Sequence, residues 1–311
     1  MGMSEQPRDR RSAPRTILPL SVPAVDGVGI LRFPLRQEAL HDLVRSALEE
    51  DGAFNDLTTI ATVISDRRSR ATLVARGKGV VCGIPLALEA FRLLDPKVSI
   101  RVDREDGAHA RAGDPVLFVT GHARGLLSAE RVALNYMQRL SGIATLTARY
   151  VDAVKGTNAK ILDTRKTTPG WRALEKYAVR AGGGTNHRMD LSTGVLIKDN
   201  HLAALDGDVS KAVARARELA PKGVKIEVEC DGVEQVARAA DAGADIILLD
   251  NMPLAAMVES VRLVNGRAIL EASGGVTLTT VRAIAETGVD WISIGALTHS
   301  APSMDLALDF E

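Results

Sequence analysis

The 311-residue sequence predicts an α/β protein in which a compact α+β unit precedes an incomplete or distorted (β/α) barrel. In the second half of the chain, short apolar runs alternate with amphipathic helical patterns, which is typical of a parallel sheet. The runs are KILD (160–163), GVLIKD (194–199), KIEVEC (225–230), ADIILLD (244–250), RAILEAS (267–273) and DWISIGA (290–296). Polar residues after each run favour a barrel, and no G-x-G-x-x-G follows the first run, which argues against a dinucleotide-binding doubly wound sheet.

The first part of the chain has a different pattern and predicts a separate domain. Apolar residues recur at helical spacing from Leu35 to Glu50, and β-like runs follow at 71–75, 97–102 and 115–120, with a helical stretch at 85–94. We divide the chain into a flexible N-terminal arm (1–28), an α+β domain (29–127), a barrel domain (128–296) whose first part is a helical segment (128–155), and a C-terminal segment (297–311). Gly142 leaves open whether the helical segment is one helix or two.

Composition limits the partners that need to be considered. Lysine plus arginine and aspartate plus glutamate both number 39, so no global charge favours nucleic acid. No apolar run reaches the ~18 residues that a membrane helix needs, and the Pro- and Arg-rich arm lacks the pattern of a secretory signal. Cys82 and Cys230 lie in apolar surroundings and fit a reducing compartment. We expect a cytoplasmic protein that binds neither nucleic acid nor membranes.

Charged and small residues are sorted along the predicted strand ends, where the loops of a barrel converge on one mouth. Cations follow the early strands, acids the middle strands, and glycines and hydroxyls the last two. The residues at these ends are Asp163, Arg165, Lys166, Thr167, His187, Arg188, Lys198, Asp199, Asn200, His201, Glu229, Asp250, Asn251, Glu271, Ser273, Gly274, Gly275 and Gly295. Several cations together can hold a polycarboxylate, two carboxylates suit Mg²⁺, and a Gly-rich turn can receive a phosphate. The mouth is therefore predicted to join two anionic substrates.

Each of these residues also has an ordinary structural explanation. A single Lys or Arg after a strand is commonly a solvated loop charge, the two acids could cap strand ends, and the Ser-Gly-Gly turn could be only a tight loop. The joint arrangement favours function, because independent accidents would not sort by charge along successive strands. His41 and His109 are interpreted as surface residues without a role.

At this point the motifs resemble one family. TRKTTPG (164–170), NHR (186–188), KDNH (198–201), EVEC (227–230), LLDN (248–251) and ASGG (272–275) are similar, in order and spacing, to quinolinate phosphoribosyltransferase, also named nicotinate-nucleotide pyrophosphorylase (carboxylating). The resemblance covers residues 37 to 308 or so. It implies an N-terminal α/β sandwich, an incomplete α/β barrel, a C-terminal helix (297–311) that returns to the first domain, and a homodimer or an assembly of dimers.

The resemblance also implies a reaction and residue roles. Quinolinate and 5-phosphoribosyl-1-pyrophosphate would give nicotinate mononucleotide, pyrophosphate and CO₂, a pentosyl transfer in de novo NAD biosynthesis. Arg165, His187, Arg188 and Lys198, with Arg131 from the partner subunit, would bind quinolinate. Lys166, Glu229 and Asp250 would be catalytic and bind the phosphoribosyl part, with Mg²⁺ held by Glu229 and Asp250, partly through water. Ser273, Gly274, Gly275 and Gly295 would receive the 5-phosphate.

Two other functions are compatible with the residues. Lys166 or Lys198 could form a Schiff base in an aldolase-like barrel, although the paired acids and the Ser-Gly-Gly turn would then have no role. The barrel could instead bind a phosphate ligand without catalysis, although the intact acids argue for turnover.

Overall fold

The computed structural model describes residues 31–311, and the predicted N-terminal arm (1–28) lies outside the described residues. Helices α1 to α11 cover Gln37–Glu50, Leu57–Thr62, Ile84–Leu94, Ala123–Ala153, Arg172–Ala181, Asp199–Ala203, Val209–Leu219, Val233–Asp241, Leu254–Val264, Val281–Glu286 and Ala296–His299. Strands β1 to β12 cover Arg68–Ala75, Gly79–Val80, Ser99–Val102, His109–Ala110, Pro115–His122, Lys160–Leu162, Val195–Ile197, Ile226–Cys230, Ile246–Asp250, Ile269–Ser273, Trp291–Ser293 and Leu306–Phe310. A 3₁₀ turn covers Ala53–Asn55.

The first domain is built on a four-stranded antiparallel sheet in the order β12-β1-β5-β3. Helix α1 buries Leu40, Val44 and Leu48, which are spaced one helical turn apart. Helix α3 packs against α1 and α4 and buries Phe91 completely. A two-stranded ribbon, β2 with β4, completes this domain.

A single 31-residue helix, α4, connects the two domains. It begins at Ala123, earlier than the predicted Ser128, and it continues without division through Gly142. Ser128 therefore lies inside the helix and not at its N-cap, and its hydroxyl donates to Asp56 Oδ2 at 3.0 Å. Gly142 allows a close approach of the chain, since a Cβ there would lie 2.1 Å from the carbonyl oxygen of Pro302. Neither α4 nor any other helix within residues 31–311 combines the length and apolar character needed to cross a membrane.

The second domain is an incomplete barrel, as predicted. Its six strands are all parallel and lie in the order β6-β11-β10-β9-β8-β7, so the last barrel strand pairs with the first. A bridge between Leu162 and Thr185 extends the sheet beyond β6. β7 forms the other edge and is not hydrogen-bonded to β6 in the described sheet, which leaves the barrel open there.

Alternation along the strands decides which side chains enter the barrel. In β8, Ile226, Val228 and Cys230 are buried, and helices α7 and α8 pack against this strand. Successive side chains of a strand point to opposite faces. Glu227 and Glu229 therefore face the barrel interior, Glu229 near the mouth and Glu227 one layer deeper.

The predicted C-terminal helix (297–311) is wrong for most of its length. Helix α11 ends at His299, and the chain then forms strand β12, which pairs antiparallel with β1 from Ala71–Phe310 to Ala75–Leu306. The sequence LALDF buries Leu306 and Leu308 but exposes Asp309, which is the period of a half-buried strand. β1 offers an open edge to this segment. The helix propensity of so short a run does not outweigh the long-range pairing with that edge.

Candidate active site

The register of the parallel strands brings the predicted acids and the Ser-Gly-Gly turn to one mouth. Asp250, the last residue of β9, is in register with Ser273, the last residue of β10. Glu229 lies near the end of the neighbouring strand β8, in register with Leu248. Since all these strands are parallel, their carboxyl ends form one rim, and the predicted phosphoribosyl residues share it.

The TRKTTPG loop (164–170) follows β6 and is anchored from two sides. The hydroxyl of Thr298 donates to the carbonyl oxygen of Lys166 at 2.7 Å. The buried carboxylate of Glu175 accepts from the backbone N–H of Thr168 at 3.0 Å and from its hydroxyl at 2.9 Å. Arg139 in turn donates to Glu175 at 2.8 Å. The loop is therefore fixed while the Lys166 side chain stays exposed.

Lys166 and Gly295 meet across the mouth. A Cβ on Gly295 would lie 3.0 Å from Lys166 Cδ and 3.2 Å from His299 Nε2. A side chain at position 295 would therefore require the Lys166 and His299 side chains to shift by a few tenths of an ångström. This contact joins the ends of β6 and β11, two elements that the predicted site uses.

The NHR segment (186–188) is held by a buried ion pair between Asp163 and Lys176. Asp163 accepts from the backbone N–H of His187 at 2.9 Å and from Asn186 Nδ2 at 2.5 Å. Lys176 donates to Asp163 and, at 3.0 Å, to the carbonyl oxygen of His187. The ion pair thus holds both the backbone N–H and the backbone carbonyl group of His187. Burial raises the pKa of Asp163 and lowers that of Lys176, so burial opposes both charges and each charge depends on the other.

The imidazole of His187 lies between protein groups on both sides. Nδ1 accepts from the backbone N–H of Arg188 at 2.8 Å. Nε2 lies 3.2 Å from Glu227 Oε2 and 3.3 Å from Glu271 Oε2. Burial opposes protonation of the ring, but the two adjacent carboxylates outweigh it and raise the pKa of His187 to about 10. In this conformation neither ring nitrogen is free for a direct bond to a ligand.

Two guanidinium groups, those of Arg165 and Arg188, stand close together at the mouth. Burial, and after it the nearby Arg165, lowers the pKa of Arg188. Arg188 Nη1 donates to the carbonyl oxygen of Gly194 at 2.9 Å, and Arg165 Nε is buried with no hydrogen-bond partner among residues 31–311. Two like charges held together with donor capacity to spare are suited to a dianion.

The acids at the rim differ in their surroundings. Glu229 forms an ion pair with Lys198 Nζ, so Lys198 lies beside the predicted metal ligand. Asp250 Oδ2 accepts from Asn251 Nδ2 at 3.0 Å, and Asn251 has a φ of 52°. Carboxylate oxygens on neighbouring strands are the hard ligands that Mg²⁺ prefers, and Mg²⁺ commonly keeps waters and binds substrate phosphates. Glu229 and Asp250 therefore fit the ion chemically.

The Ser-Gly-Gly turn has backbone angles that favour glycine. Gly274 has a φ of 94° and Gly275 a φ of 58°. A Cβ on Gly274 would lie 2.2 Å from Asn251 Oδ1, so a side chain would collide with the residue that contacts Asp250. The turn is exposed, and its backbone can approach a phosphate closely.

Arg131, the remaining predicted site residue, lies on helix α4. It is exposed on α4 and makes no hydrogen bond or ion pair within residues 31–311. Exposed apolar side chains lie near the same helix, because α2 packs on α4.

Several functional candidates were missed by strand-end analysis. Glu227 lies two residues before Glu229 on the same strand face, and this spacing is the signal that could have identified it. Glu271 was noted at its strand end but was given no role. Lys176 and Glu175 lie on α5, where a charge in an amphipathic helix predicts a solvated face instead of a buried anchor.

Comparisons with known proteins identify relatives over nearly the whole described chain. A family model described as quinolinate phosphoribosyl transferase, C-terminal domain, matches residues 143–309, and the N-terminal domain model matches residues 56–141. Nicotinate-nucleotide pyrophosphorylase (carboxylating) of Mycobacterium leprae (strain TN) is 46% identical over 280 residues, which are 88% of this chain and 97% of that protein. The probable enzyme of that name from Bacillus subtilis (strain 168) is 44% identical over 270 residues, 87% of this chain and 93% of the relative.

Solved structures agree with these matches. NadC from Streptococcus pyogenes superposes with a TM-score of 0.85 at 41% identity, covering 89% of this chain and 99% of that one. The nicotinate-nucleotide pyrophosphorylase from Francisella tularensis has a TM-score of 0.84 at 36% identity, covering 90% and 98%. The predicted fold class and the resemblance are confirmed.

Proposed function

Because the chain belongs to the quinolinate phosphoribosyltransferase family, we propose that it transfers a phosphoribosyl group from 5-phosphoribosyl-1-pyrophosphate to quinolinate, with loss of CO₂. The products are nicotinate mononucleotide and pyrophosphate, which places the enzyme in NAD biosynthesis. The observation that carries this proposal is the single mouth shared by paired guanidinium groups, two rim carboxylates and a Gly-rich turn.

The acceptor side takes the pyridine dicarboxylate. Arg165 and Arg188 supply donors to its carboxylates, and Lys198 contributes positive charge beside Glu229. His187 supports this pocket indirectly, because both of its ring nitrogens contact protein groups. A direct hydrogen bond to quinolinate would require one of these contacts to break. Arg131 completes this pocket from the partner subunit.

The donor side takes the phosphoribosyl group. Lys166 faces the pyrophosphate, and Ser273, Gly274, Gly275 and Gly295 receive the 5-phosphate. Glu229 and Asp250 would hold Mg²⁺, which neutralises charge on the leaving pyrophosphate when it is bound. The anchored TRKTTPG loop keeps Lys166 in place without reorganisation, which is the condition for electrostatic stabilisation of a leaving group.

The reaction requires the protein mainly to orient the two substrates and to balance their charges. The ring nitrogen of quinolinate attacks the anomeric carbon of the sugar as pyrophosphate departs. The arginines fix the ring through its carboxylates, which turns the encounter into an oriented reaction. Ribosylation then makes the ring a pyridinium, whose positive nitrogen stabilises the electron pair left on C2 when the bond to CO₂ breaks. C2 then takes up a proton to give nicotinate mononucleotide.

A homodimer is part of the proposal. Phe54, Leu57, Ile60 and Ile64 are exposed to between 46% and 73%, and they cluster around α2. Arg124 donates to the carbonyl oxygens of Val63 and Ile60, so this apolar surface is fixed to the segment of α4 that also carries Arg131. An exposed apolar patch attached to the helix that carries Arg131, which has no ion pair among residues 31–311, fits a subunit interface that delivers Arg131 to the partner's mouth.

The cytoplasm is the proposed location. Cys82 and Cys230 are both free and buried, which suits a reducing compartment.

The first test is product analysis with quinolinate, 5-phosphoribosyl-1-pyrophosphate and Mg²⁺. We expect nicotinate mononucleotide and CO₂ in equal amounts, and loss of both when a chelator removes the metal. Binding of quinolinate by folded protein without any product would show that the mouth serves binding or another acceptor.

A mixing experiment tests the shared site. Arg131→Ala and Asp250→Ala should each be inactive, and a mixture should recover activity because each mixed dimer restores one complete mouth. Failure to recover after subunit exchange has been verified would refute the contribution of Arg131 across the interface.

A further inference from the structure

Two arginines outside the predicted binding residues hold the TRKTTPG loop (164–170) from different directions. Arg139 lies on α4 and Arg172 on α5, and both side chains are half-buried. In the proposed function, neighbouring residues of this loop serve different substrates, since Arg165 binds quinolinate and Lys166 faces the pyrophosphate. The contacts of the two arginines divide in the same way.

Arg172 holds the part of the loop that serves quinolinate. Its Nε donates to the hydroxyl of Thr167 at 3.0 Å, and its Nη2 donates to the carbonyl oxygen of Arg165 at 3.4 Å. Nη1 donates at 3.3 Å to the carbonyl oxygen of Met189, the residue after Arg188. One planar guanidinium group therefore ties the backbone of Arg165 to the segment that carries Arg188.

Arg139 holds the part of the loop that serves the phosphoribosyl donor. Its Nη2 donates to Glu175 Oε1 at 2.8 Å, and the Glu175 carboxylate accepts from the backbone N–H and the hydroxyl of Thr168. Nη2 also donates to the carbonyl oxygen of Thr298, whose hydroxyl donates to the carbonyl oxygen of Lys166. Both anchors of this part of the loop therefore lead to one guanidinium group.

Arg139 also fixes the helix that follows Gly295. Its Nη1 donates to the carbonyl oxygen of Ala301 at 3.1 Å, just beyond the end of α11. Gly295 is the residue before α11, and it approaches the Lys166 side chain. Lys166 and Gly295, which are both proposed to bind the phosphoribosyl donor, thus depend on the same arginine.

The two sets of contacts are separate. Within residues 31–311, Arg172 makes no hydrogen bond to Lys166, Thr168 or α11. Over the same part of the chain, Arg139 makes none to Arg165 or to the NHR segment (186–188). Removal of one arginine therefore leaves the direct contacts of the other in place.

We infer that Arg139 and Arg172 are positioning residues for different substrates. Arg172 orients Arg165 and Arg188 for the pyridine dicarboxylate, whereas Arg139 orients Lys166 and Gly295 for the phosphoribosyl donor. The inference rests on the proposed function, because that function assigns the two parts of the loop to two substrates. Each arginine acts through the residues that it holds, so its loss weakens the binding of one substrate and spares the other.

Equilibrium binding to the full chain tests this separation without requiring turnover. The Kd of quinolinate alone and the Kd of 5-phosphoribosyl-1-pyrophosphate with Mg²⁺ are measured for Arg139→Ala and Arg172→Ala. For Arg172→Ala we expect the Kd of quinolinate to rise ~10-fold or more and the Kd of the donor to stay within ~3-fold. For Arg139→Ala we expect the reverse, with only the Kd of the donor rising ~10-fold or more.

The control variant is Arg149→Ala, which removes an exposed side chain of α4 that makes no hydrogen bond or ion pair within residues 31–311. It should leave both Kd values unchanged. Equal weakening of both substrates by Arg139→Ala or by Arg172→Ala would overturn the inference, as would unchanged affinities in both. The proposed reaction fails separately, if the unmodified protein binds both substrates and forms no product.

Two smaller changes keep the inference testable if the alanine variants do not fold. Thr298→Val removes the hydroxyl that donates to the Lys166 carbonyl oxygen, and Thr167→Val removes the hydroxyl that accepts from Arg172. We expect Thr298→Val to weaken binding of the donor and Thr167→Val to weaken binding of quinolinate. A common effect of both variants on one substrate, or on both substrates, would overturn the assignment.

Discussion

Replacing Asp163 with asparagine removes the negative member of the ion pair that holds the NHR segment. The Lys176 side chain, 2% exposed, would then carry an ammonium group in the protein interior without a carboxylate. Breaking a buried ion pair by removing one partner costs about 3–5 kcal/mol. We expect Asp163→Asn to lower the free energy of unfolding by that amount and to weaken quinolinate binding, since Asp163 also accepts from the His187 N–H.

Urea denaturation measures the first effect and equilibrium binding of quinolinate the second. Asp152→Asn is the matched control, because Asp152 pairs with Lys155 at the surface, where both side chains are more than half exposed. Such a pair contributes about 0–1 kcal/mol. If Asp163→Asn is no more destabilising than Asp152→Asn, the buried pair does not support this segment.

A double variant separates stability from binding. Asp163→Leu with Lys176→Met replaces the pair by apolar side chains, which is often neutral for stability. We expect its free energy of unfolding to lie within ~2 kcal/mol of that of the unmodified protein. It should nevertheless bind quinolinate weakly, because the backbone of His187 loses both partners. Normal binding by this variant would show that the NHR segment holds its conformation without the pair.

Three further outcomes are expected. Gly142→Ala should lower the free energy of unfolding by about 1–3 kcal/mol, because the new Cβ would lie 2.1 Å from the Pro302 carbonyl oxygen, and an unchanged thermal midpoint would contradict this. Gly274→Ala should raise the KM for 5-phosphoribosyl-1-pyrophosphate ~10-fold or more without changing quinolinate binding, because its Cβ would collide with Asn251. The pKa of His187, raised from 6.5 to about 10 by folding, means that the native state binds more protons than the unfolded chain between these values. The free energy of unfolding should therefore fall with rising pH across that window, by at most ~1.4 kcal/mol per pH unit, and less in His187→Asn; equal slopes would refute the shift.

The barrel strands could be predicted because each is a short apolar run bounded by helix stops and polar residues. β8, β9 and β10 lie where KIEVEC, ADIILLD and RAILEAS predict them. The rim residues were predictable for the same reason, because a strand end is visible in the sequence and parallel strands end at a common edge.

Features that depend on contacts between residues distant in sequence were harder to predict from the sequence. LALDF becomes a strand because β1, more than 200 residues earlier, offers it an edge. The sequence pattern of α5 predicts that the charged Lys176 is solvent-exposed, but the packing of α5 buries it. The burial of two carboxyl groups inside the barrel was also hidden, because it becomes evident only when His187, Glu227 and Glu271 are placed side by side.

Strand β12 has a consequence for the order in which the chain folds. The sheet of the first domain contains residues 71–75 paired with residues 306–310, so one of its edges is made only after the whole barrel has been synthesised. Domains often fold as units while the chain emerges from the ribosome, but this sheet reaches its full width late. Until then β1 presents unpaired backbone groups that invite pairing with another chain. Folding of the barrel therefore delivers the segment that protects the first domain from aggregation.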